Sequence, residues 1–245
     1  MDRVDAARRL LERSRTVVAF SGAGLSTASG IPDFRSPGGV WTRHQPVLYQ
    51  DFLESEDARR RYWVARREMY ADFQKARPNA AHVALAQMEA RGRLSAVVTQ
   101  NIDGLHQDAG SRRVVELHGT NRRILCVACR REHDPVEVYA GLDAGRDVPV
   151  CDDCGAPLKP ATISFGQNLD PDVLDEAFAL AREADLLLVL GSSLVVQPAA
   201  ALPVAAAQAG AHVVIVNRDE TPLDGLASVV IHDPLETVVP ALAVG

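Results

Sequence analysis

The feature that most constrains this chain is an alternation of short apolar runs with helical segments. Six runs rich in valine, isoleucine or leucine have the length and composition of buried strands; they cover residues 16–20, 94–99, 114–117, 185–190, 212–216 and 229–232. Helical patterns occupy residues 2–15, 80–90, 172–184 and 199–209. Strands that alternate with helices are typical of βαβ units. The sequence therefore predicts an α/β fold built around a mostly parallel sheet.

Two segments interrupt this alternation. Residues 51–73 are charged and helical in pattern, and residues 121–160 hold all four cysteines with little periodicity. We interpret both as insertions that together form a smaller lobe. With 245 residues, of which 47% are hydrophobic, the chain has enough apolar material for a large core and such a module.

The charge balance narrows the range of partners. A formal net charge of −6 is unlike the basic excess of nucleic-acid binders. No run approaches the roughly 18 apolar residues of a transmembrane helix. The N-terminal helix carries Asp2, Asp5 and Glu12, whereas transit peptides are poor in acids. We therefore expect a cytoplasmic protein with no direct nucleic-acid or membrane partner.

The four cysteines form two CxxC pairs separated by the 21 residues 130–150. The pairs are Cys126 with Cys129 and Cys151 with Cys154. Two such pairs at about this spacing are typical of a tetrahedral zinc site, and four thiolates leave no open position, which indicates a structural ion. The alternatives are four unligated thiols or a redox CxxC; the second is disfavoured because neither pair opens a helix after a strand.

A glycine-rich loop follows the first predicted strand. In Gly22-Ala23-Gly24, the missing Cβ atoms would let backbone N–H groups approach phosphate oxygens. This pattern alone is weak, since it lacks the third glycine of the usual dinucleotide fingerprint, and without a P-loop lysine it is not a Walker A site. Polar clusters at residues 99–103, 116–119 and 191–194 also end predicted strands, where parallel sheets bind ligands. Together they indicate a dinucleotide site.

These motifs, in this order, resemble those of the sirtuins, a family of NAD-dependent protein-lysine deacylases. The resemblance rests on Gly22-Ala23-Gly24 and Ser29-Gly30-Ile31-Pro32-Asp33-Phe34-Arg35-Ser36, on Thr99-Gln100-Asn101-Ile102-Asp103, on His118-Gly119, on the double CxxC and on Gly191-Ser192-Ser193-Leu194. It implies a Rossmann-type domain with helices on both faces of the sheet, at residues 1–45, 80–120 and 160–245. It also implies a helical module at 46–79 and a zinc module at 121–159. Residues 59–67 and 109–113 look closer to class II sirtuins.

The resemblance implies a reaction that consumes NAD+ as co-substrate and releases nicotinamide and O-acyl-ADP-ribose. The acyl oxygen attacks C1′ of the nicotinamide ribose, and His118 acts as the general base for a ribose hydroxyl. A histidine suits this task because its pKa lies near the working pH, although a lone strand-end histidine is otherwise more often structural. By the same resemblance His106 is a positioning residue, and one structural Zn2+ is expected per chain.

The resemblance also assigns binding residues. The NAD+ contacts expected from it are Gly22, Ala23, Gly24, Ser26, Ile31, Pro32, Asp33, Phe34, Arg35, Trp41, Gln100, Asn101, Ile102, Asp103, Gly191, Ser192, Ser193, Asn217, Arg218, Asp219 and Leu235. Asn101 and Asp103 would orient the nicotinamide amide and its ribose. The substrate peptide would add a strand against Ile163, Phe165 and Gly166. We expect acyl-lysine proteins as partners and a monomeric chain.

Two departures from the family pattern bear on the substrate. Gln167 stands where a glutamate is common. Desuccinylating members carry a Tyr-x-x-Arg pair, and the best matching register here is Trp63-x-x-Arg66, in which the tyrosine is replaced. We therefore expect removal of acetyl and longer apolar acyl groups, with succinyl less favoured.

Other functions remain to be compared with this one. Mono-ADP-ribosylation of proteins would use the same NAD+ cleft and is the main alternative. A non-catalytic NAD+ sensor would predict loss of His118, Asn101 or Asp103, and all three are present. A dehydrogenase is disfavoured because the ribose-binding acid and the third glycine of its fingerprint are missing.

Overall fold

The computed structural model describes residues 2–33, 39 and 43–244. In these ranges nine strands form, numbered β1 Val17–Ser21, β2 Ala96–Thr99, β3 Val114–Glu116, β4 Gly119–Cys126, β5 Glu132–His133, β6 Leu158–Thr162, β7 Leu186–Leu190, β8 His212–Val216 and β9 Val229–Ile231. Six of them make one sheet in the order β3-β2-β1-β7-β8-β9, and every neighbouring pair is parallel. The predicted parallel α/β sheet is confirmed.

Helices connect these strands. They are α1 Arg3–Arg13, α2 Tyr49–Glu54, α3 Glu56–Lys75, α4 Ala80–Ala90, α5 Leu105–Asp108, α6 Pro135–Asp143, α7 Pro171–Glu183, α8 Leu202–Gln208 and α9 Leu235–Ala243. The helix expected at 199–209 is divided into a 3-10 turn, Ala199–Ala201, and α8. Pro203 explains the division, because proline lacks the N–H that would continue the preceding turn. None of the described helices is long and apolar enough to cross a bilayer.

Alternate residues of the central strands face opposite sides of the sheet, and both sides are covered. Val17 and Ala19 of β1 pack in a core formed with α1, α4 and α9. Val18 and Phe20 pack in a second core formed with α7 and α8. Strands buried on both faces carry continuous apolar sequences, which is why the six runs were visible in the sequence.

The strand order places the connections of β1 and β7 on opposite sides. From β1 the chain adds β2 and β3 in one direction, and from β7 it adds β8 and β9 in the other. The loops that follow β1 and β7 therefore separate and leave a crevice at their carboxyl ends. Parallel α/β sheets bind ligands at this switch point, and the order is that of dinucleotide-binding sheets.

A second, antiparallel sheet in the order β5-β4-β6 belongs to a smaller unit. Its core combines strand residues with side chains of α2, α3 and α6; the largest buried members are Phe52, Tyr62, Trp63, Ile124, Tyr139 and Leu158. The helix α6 was not predicted, although Asp134 caps it and Pro135 occupies its first turn. This sheet begins at Gly119 and ends at Thr162, just outside the zinc module expected at 121–159.

Candidate active site

A cleft with a volume of about 600 Å³ opens at the carboxyl edge of the large sheet. An adjoining pocket of about 20 Å³ shares Ala23, Asn101 and Ile102 with it. The predicted site residues that line the cleft or this pocket are Gly22, Ala23, Gly24, Ser26, Ile31, Pro32, Asp33, Gln100, Asn101, Ile102, Asp103, His118, Ile163, Phe165, Gly166, Gly191, Ser192, Ser193, Asn217, Arg218, Asp219 and Leu235. Phe34, Arg35 and Trp41 lie outside the described residues. The structure thus brings residues from seven separate chain segments to one place.

The glycines after β1 and β7 let two backbone loops approach closely. A Cβ atom on Gly22 would lie 2.7 Å from the carbonyl oxygen of Gly191, and one on Gly24 would lie 2.9 Å from it. The N–H of Gly22 donates to Leu190 (3.0 Å) and that of Gly24 to Gly191 (2.9 Å). Our expectation that these two N–H groups point at phosphate is therefore wrong. The glycines are needed because the loops touch, and their N–H groups are used in that contact.

Asn101 is fixed by hydrogen bonds to the loop after β1. Its Nδ2 donates to the carbonyl of Gly22 and to Ser26 Oγ, both at 3.1 Å. Ser26 Oγ in turn donates to Asp103 Oδ2 at 2.7 Å. The two donor hydrogens of the Asn101 amide are thereby used, so its Oδ1 is the atom left to accept a hydrogen bond from a ligand. This arrangement suits an amide or hydroxyl donor.

Gln100 links the residues around His118. Its side-chain Nε2 donates to Ser192 Oγ at 2.8 Å, which connects the loops after β2 and β7. Its carbonyl oxygen lies 3.0 Å from His118 Nδ1. Because a carbonyl can only accept, Nδ1 carries the proton and Nε2 is left with its lone pair. The hydrogen bond therefore selects the tautomer of His118 that can act as a base through Nε2.

The environment of His118 keeps the ring neutral near pH 7. Burial lowers the pKa of His118 below its ordinary value of 6.5, and the hydrogen bond to Gln100 opposes this only in part. A neutral imidazole that lines a cleft can accept a proton from a hydroxyl group bound there. The geometry and the pKa direction both support the general-base role that the resemblance implied.

A buried polar chain lies behind the cleft. His106 Nε2 is 2.8 Å from Ser21 Oγ, which donates to Thr99 Oγ1 at 2.8 Å, and Thr99 accepts from the N–H of Asn101 at 3.0 Å. The ring of His82 packs against His106 with centroids 4.9 Å apart. Burial lowers the pKa of His106 to about 3, so it is uncharged at neutral pH. His106 touches the loop of Asn101 only through other residues, as expected for a positioning residue.

The residues after β8 and β9 form the opposite end of the cleft. Asn217 Nδ2 donates to the carbonyl of Asp219 at 2.8 Å, and His232 Nδ1 lies 2.7 Å from the carbonyl of Asn217. Arg218 forms an ion pair of 3.2 Å with Asp219. Leu235 begins α9 and is 8% exposed. Sequence reasoning did not select His232, which lines the cleft beside these residues.

The segment expected to pair with a peptide lies along one wall of the cleft. The N–H of Ile163 donates to the carbonyl of His118 at 2.8 Å, which places this segment next to the proposed base. The N–H of Tyr49 donates to the carbonyl of Phe165 at 2.8 Å. Gln167 closes the turn by accepting from the N–H of Ser164 at 3.1 Å. Phe165 lines the cleft and is 41% exposed, so a bound peptide could cover part of its ring.

The helix α3 presents a different face to the cleft than we expected. Trp63 is 1% exposed and packs edge-on against Tyr139 in the small-lobe core, so it does not line the cleft. Tyr62 and Arg66 do line it, and Arg66 lies over the Tyr62 ring, 4.9 Å from its centroid. The sequence pattern pairs Trp63 with Arg66. In the structure the aromatic ring in contact with Arg66 is that of Tyr62.

Tyr62 and Arg66 of α3 lie in a cluster with Lys159, in which the two cationic side chains approach the Tyr62 ring. Arg66 donates to Asn121 Oδ1 at 3.2 Å and to Thr162 Oγ1 at 3.1 Å. Lys159 is buried, and its Nζ donates to the carbonyl oxygen of Thr162. Burial raises the pKa of the Tyr62 hydroxyl, but the charges of Arg66 and Lys159 outweigh it, so the net direction is downward.

The four cysteines converge at the edge of the antiparallel sheet. All four sulfur atoms lie within 4.8 Å of one another; Cys126 Sγ is 3.4 Å from Cys154 Sγ, and Cys129 Sγ is 3.7 Å from Cys151 Sγ. Tetrahedral coordination with bonds of about 2.3 Å places sulfur atoms about 3.8 Å apart, so the cluster has the dimensions of a four-thiolate site. Each CxxC is followed by a residue with positive φ, Arg130 (64°) and Gly155 (71°), so the two turns match.

Comparisons with known proteins give the family of this chain. Residues 22–198 match the Sir2 family. NAD-dependent protein deacetylase 2 of Streptomyces coelicolor is 46% identical over 235 residues, which are 94% of this chain and 97% of that protein. The NAD-dependent protein deacetylase of Thermotoga maritima is 46% identical over 220 residues, 89% of this chain and 88% of that protein.

Solved structures give the same result for the fold. A Sir2 structure with a deacetylated p53 peptide and 3′-O-acetyl ADP ribose has a TM-score of 0.92 and 41% identity, and the match covers 98% of this chain and 96% of that chain. A Sir2 structure with a p53 peptide and NAD+ has a TM-score of 0.88 and 40% identity, with the same coverage. Family, relatives and structures therefore lead to one conclusion: the chain belongs to the Sir2 family.

Proposed function

We propose that this chain is an NAD-dependent protein-lysine deacylase that releases nicotinamide and O-acyl-ADP-ribose. The observation that carries the proposal is His118, whose Nδ1–H is held by the carbonyl of Gln100 while Nε2 remains free to accept a proton in the cleft. The relatives named as NAD-dependent protein deacetylases match over nearly their whole length. The solved relatives contain NAD+, peptides or acetyl ADP ribose.

The cleft fits a dinucleotide at both ends. At one end, Asn101 and Asp103 offer an amide oxygen and a carboxylate to the nicotinamide ribose and carboxamide. At the other end, Ser192, Asn217 and Leu235 would hold the adenosine half. NAD+ supplies an electrophilic ribose carbon, and the chain supplies binding groups, orientation and the base. His118 would take the proton of a ribose hydroxyl at Nε2.

The cysteine cluster would hold Zn2+ through the four thiolates of Cys126, Cys129, Cys151 and Cys154. Two of these sulfurs belong to residues in the small-lobe core, together with Trp63 and Tyr139. A tetrahedral set without an open position has no room for a reacting water, so the ion's role would be structural. Because α3 packs on the same core and lines the cleft, the ion would support the cleft wall.

Nicotinamide release tests the proposed reaction. Purified protein is mixed with NAD+ and an acetyl-lysine peptide, and nicotinamide and deacylated peptide are measured together. We expect equal amounts of the two products over many turnovers. In His118→Ala, deacylated peptide should be lost and nicotinamide should not exceed one equivalent of enzyme, because nicotinamide leaves before the base acts. The control is His212→Ala, since His212 is exposed, bonds to Ser228 and does not line the cleft. Activity retained in His118→Ala would refute the assignment of the base.

The same experiment separates the alternatives. ADP-ribose transferred to a protein without dependence on an acylated lysine would indicate mono-ADP-ribosylation, and growth of NADH absorbance would indicate a dehydrogenase. Neither is favoured by a specific observation in the cleft. The named relatives favour deacylation over ADP-ribosyl transfer.

A further question is which acyl group the protein removes from lysine. Our expectation that succinyl is disfavoured rested on Trp63, and Trp63 lies in the core instead of the cleft wall. Arg66 places a cation at that wall, and Tyr62, which is itself largely buried, also lines it. Acetyl, butyryl, myristoyl, lipoyl and succinyl peptides assayed side by side measure the preference. If Arg66 binds an acidic tail, Arg66→Met loses succinyl turnover while acetyl turnover persists.

Two further expectations stay predictions. These are the cytoplasmic location and the monomeric state. Sedimentation of the purified chain and fractionation of cells measure them directly. The acyl-lysine protein partners would be found as proteins whose acetylation rises when the chain is absent.

A further inference from the structure

Three consecutive arginines on α3 have different environments. Arg59 donates to the carbonyls of Phe52 and Leu53 at 2.9 and 3.0 Å, where it caps the end of α2. Arg60 forms ion pairs with Glu56, Asp57 and Asp147. These two arginines therefore have structural partners, and their positions are explained by the fold.

Arg61 is the third arginine, and it lines the cleft. Its side chain is exposed, and among the described residues no carboxylate lies within ion-pair distance of it. Asp57, one helical turn before it, is already paired with Arg60 at 3.0 Å. Within the described ranges Arg61 therefore has no ion-pair partner, and its exposed side chain lines the cleft.

The carboxylates that line the cleft are grouped around Arg218, away from the arginines of α3. The carboxylates that line it, among the described residues, come from the loops after β1, β8 and β9 and from the first turn of α9: Asp33, Asp219, Asp233 and Glu236. Asp33 lies near enough to Arg218 to raise its pKa, so these acids share the NAD+ end. Lining residues from α3 and from 162–167 include Arg61 and Arg66 and no carboxylate. The acids of α3 near the cleft have partners or face elsewhere: Asp57 is paired with Arg60, Glu68 is bonded to His44, and Asp72 faces the small adjoining pocket.

The end of the cleft assigned to the peptide is therefore positive, although the chain as a whole is negative. Gln167, beside the pairing segment, is neutral and adds no negative charge. The partners of Arg66 are the neutral side chains of Asn121 and Thr162, so its charge is also not compensated. Arg61 and Arg66 line the same cleft as residues 163–166, so a peptide paired with that segment would expose its flanking side chains to this positive charge.

We infer that this protein selects acyl-lysine in an acidic sequence context and that Arg61 forms an ion pair with the acidic residue that flanks the acyl-lysine. The inference rests on the proposed deacylase function and names the substrate class for the same site. An exposed ion pair changes binding only modestly, so the expected gain in kcat/KM for an acidic over a neutral flank is about two- to fivefold. Because the pair is exposed, salt should reduce the gain as the Debye length falls to about 8 Å at physiological ionic strength.

The test uses acetyl-lysine peptides that differ only in one flanking residue, Glu, Gln or Lys, placed in turn on either side of the acetyl-lysine. Nicotinamide release gives kcat and KM for each. We expect the order Glu, Gln, Lys in kcat/KM, expressed mainly in KM and reduced at high salt. In Arg61→Gln the ratio between Glu and Lys peptides should fall toward one, and in Arg61→Glu it should invert.

Arg67→Gln is the matched control, since it removes the same charge from an exposed position of the same helix that is paired with Asp143 and does not line the cleft. It should keep the wild-type ratio. Equal use of all flanks by the wild type, or an acid preference that survives Arg61→Gln, would overturn the inference while leaving deacylation intact. If no acetyl peptide releases nicotinamide, the proposed function itself has failed, and this inference fails with it.

Discussion

Replacing Gly191 with alanine tests whether the contact between two strand-end loops holds the cleft together. Gly191 has a φ of +66°, a region that disfavours side chains. Its added Cβ would lie 2.4 Å from the nitrogen of Leu25 and 2.7 Å from the carbonyl carbon of Gly24. Both atoms belong to the backbone, so no side-chain rotation can relieve the overlap. The loops after β1 and β7 must separate.

The free-energy loss can be assembled from three parts. A left-handed backbone with a Cβ costs about 1–2 kcal/mol. Separation of the loops breaks the 2.9 Å hydrogen bond from Gly24 to Gly191, worth about 1 kcal/mol. Overpacking adds about 1–3 kcal/mol. We therefore expect Gly191→Ala to lower the free energy of unfolding by about 3–6 kcal/mol.

Three other glycines separate these contributions. Gly92 has a φ of +70° with no heavy atom near the added Cβ, so Gly92→Ala should lose only about 1–2 kcal/mol. Gly24 has the close contact, at 2.9 Å, without a positive φ, so Gly24→Ala should lose about 2–4 kcal/mol. Gly225 has neither feature, and Gly225→Ala should stay within about 0.5 kcal/mol of wild type.

Urea unfolding of the four variants measures these free energies, provided that the slope against urea is unchanged. Calorimetric titration with NAD+ gives a second measurement. Affinity should fall in Gly191→Ala and Gly24→Ala, whose loops line the cleft, and persist in Gly92→Ala and Gly225→Ala. A Gly191→Ala variant as stable as Gly92→Ala would refute the argument from close approach.

Three further predictions concern His118, the cysteines and a strained turn. Because burial lowers the pKa of His118 and only its neutral form is a base, kcat/KM should fall with acid at a midpoint below 6.5; a midpoint above this value would contradict the argument. Cys126→Ala should abolish deacylation with loss of zinc and of fold, whereas His118→Ala should abolish it with zinc content and unfolding free energy retained; a folded, active, zinc-free protein would refute this division. Arg130→Gly should raise the free energy of unfolding by about 0.5–1 kcal/mol, since its φ of 64° favours glycine; an unchanged urea midpoint would argue against strain at this turn.

Local chemistry in the sequence was sufficient for much of this fold. Strands buried on both faces need continuous apolar runs, so residues such as Leu186–Leu190 were recognisable one by one. The CxxC spacing is likewise a local requirement of metal coordination, and the four sulfurs do converge. The helix α6 could also have been predicted, because Asp134-Pro135 is an ordinary signal for the start of a helix.

The sequence by itself determined which chemical groups are present: a histidine, an amide, a carboxylate, four thiols and the apolar runs of a parallel sheet. Only the tertiary structure decided which way they face. Tyr62 and Trp63 are adjacent aromatic residues on one helix, and both are buried in the small-lobe core, but only Tyr62 also lines the cleft. Nothing in their order says which of the two rings reaches the cleft. In the same way, the N–H groups of Gly22 and Gly24 were taken by carbonyls of a loop more than 160 residues away in the sequence, at Leu190 and Gly191. Side-chain direction and hydrogen-bond partners depend on segments that are distant in the sequence, and these segments come together only when the chain folds.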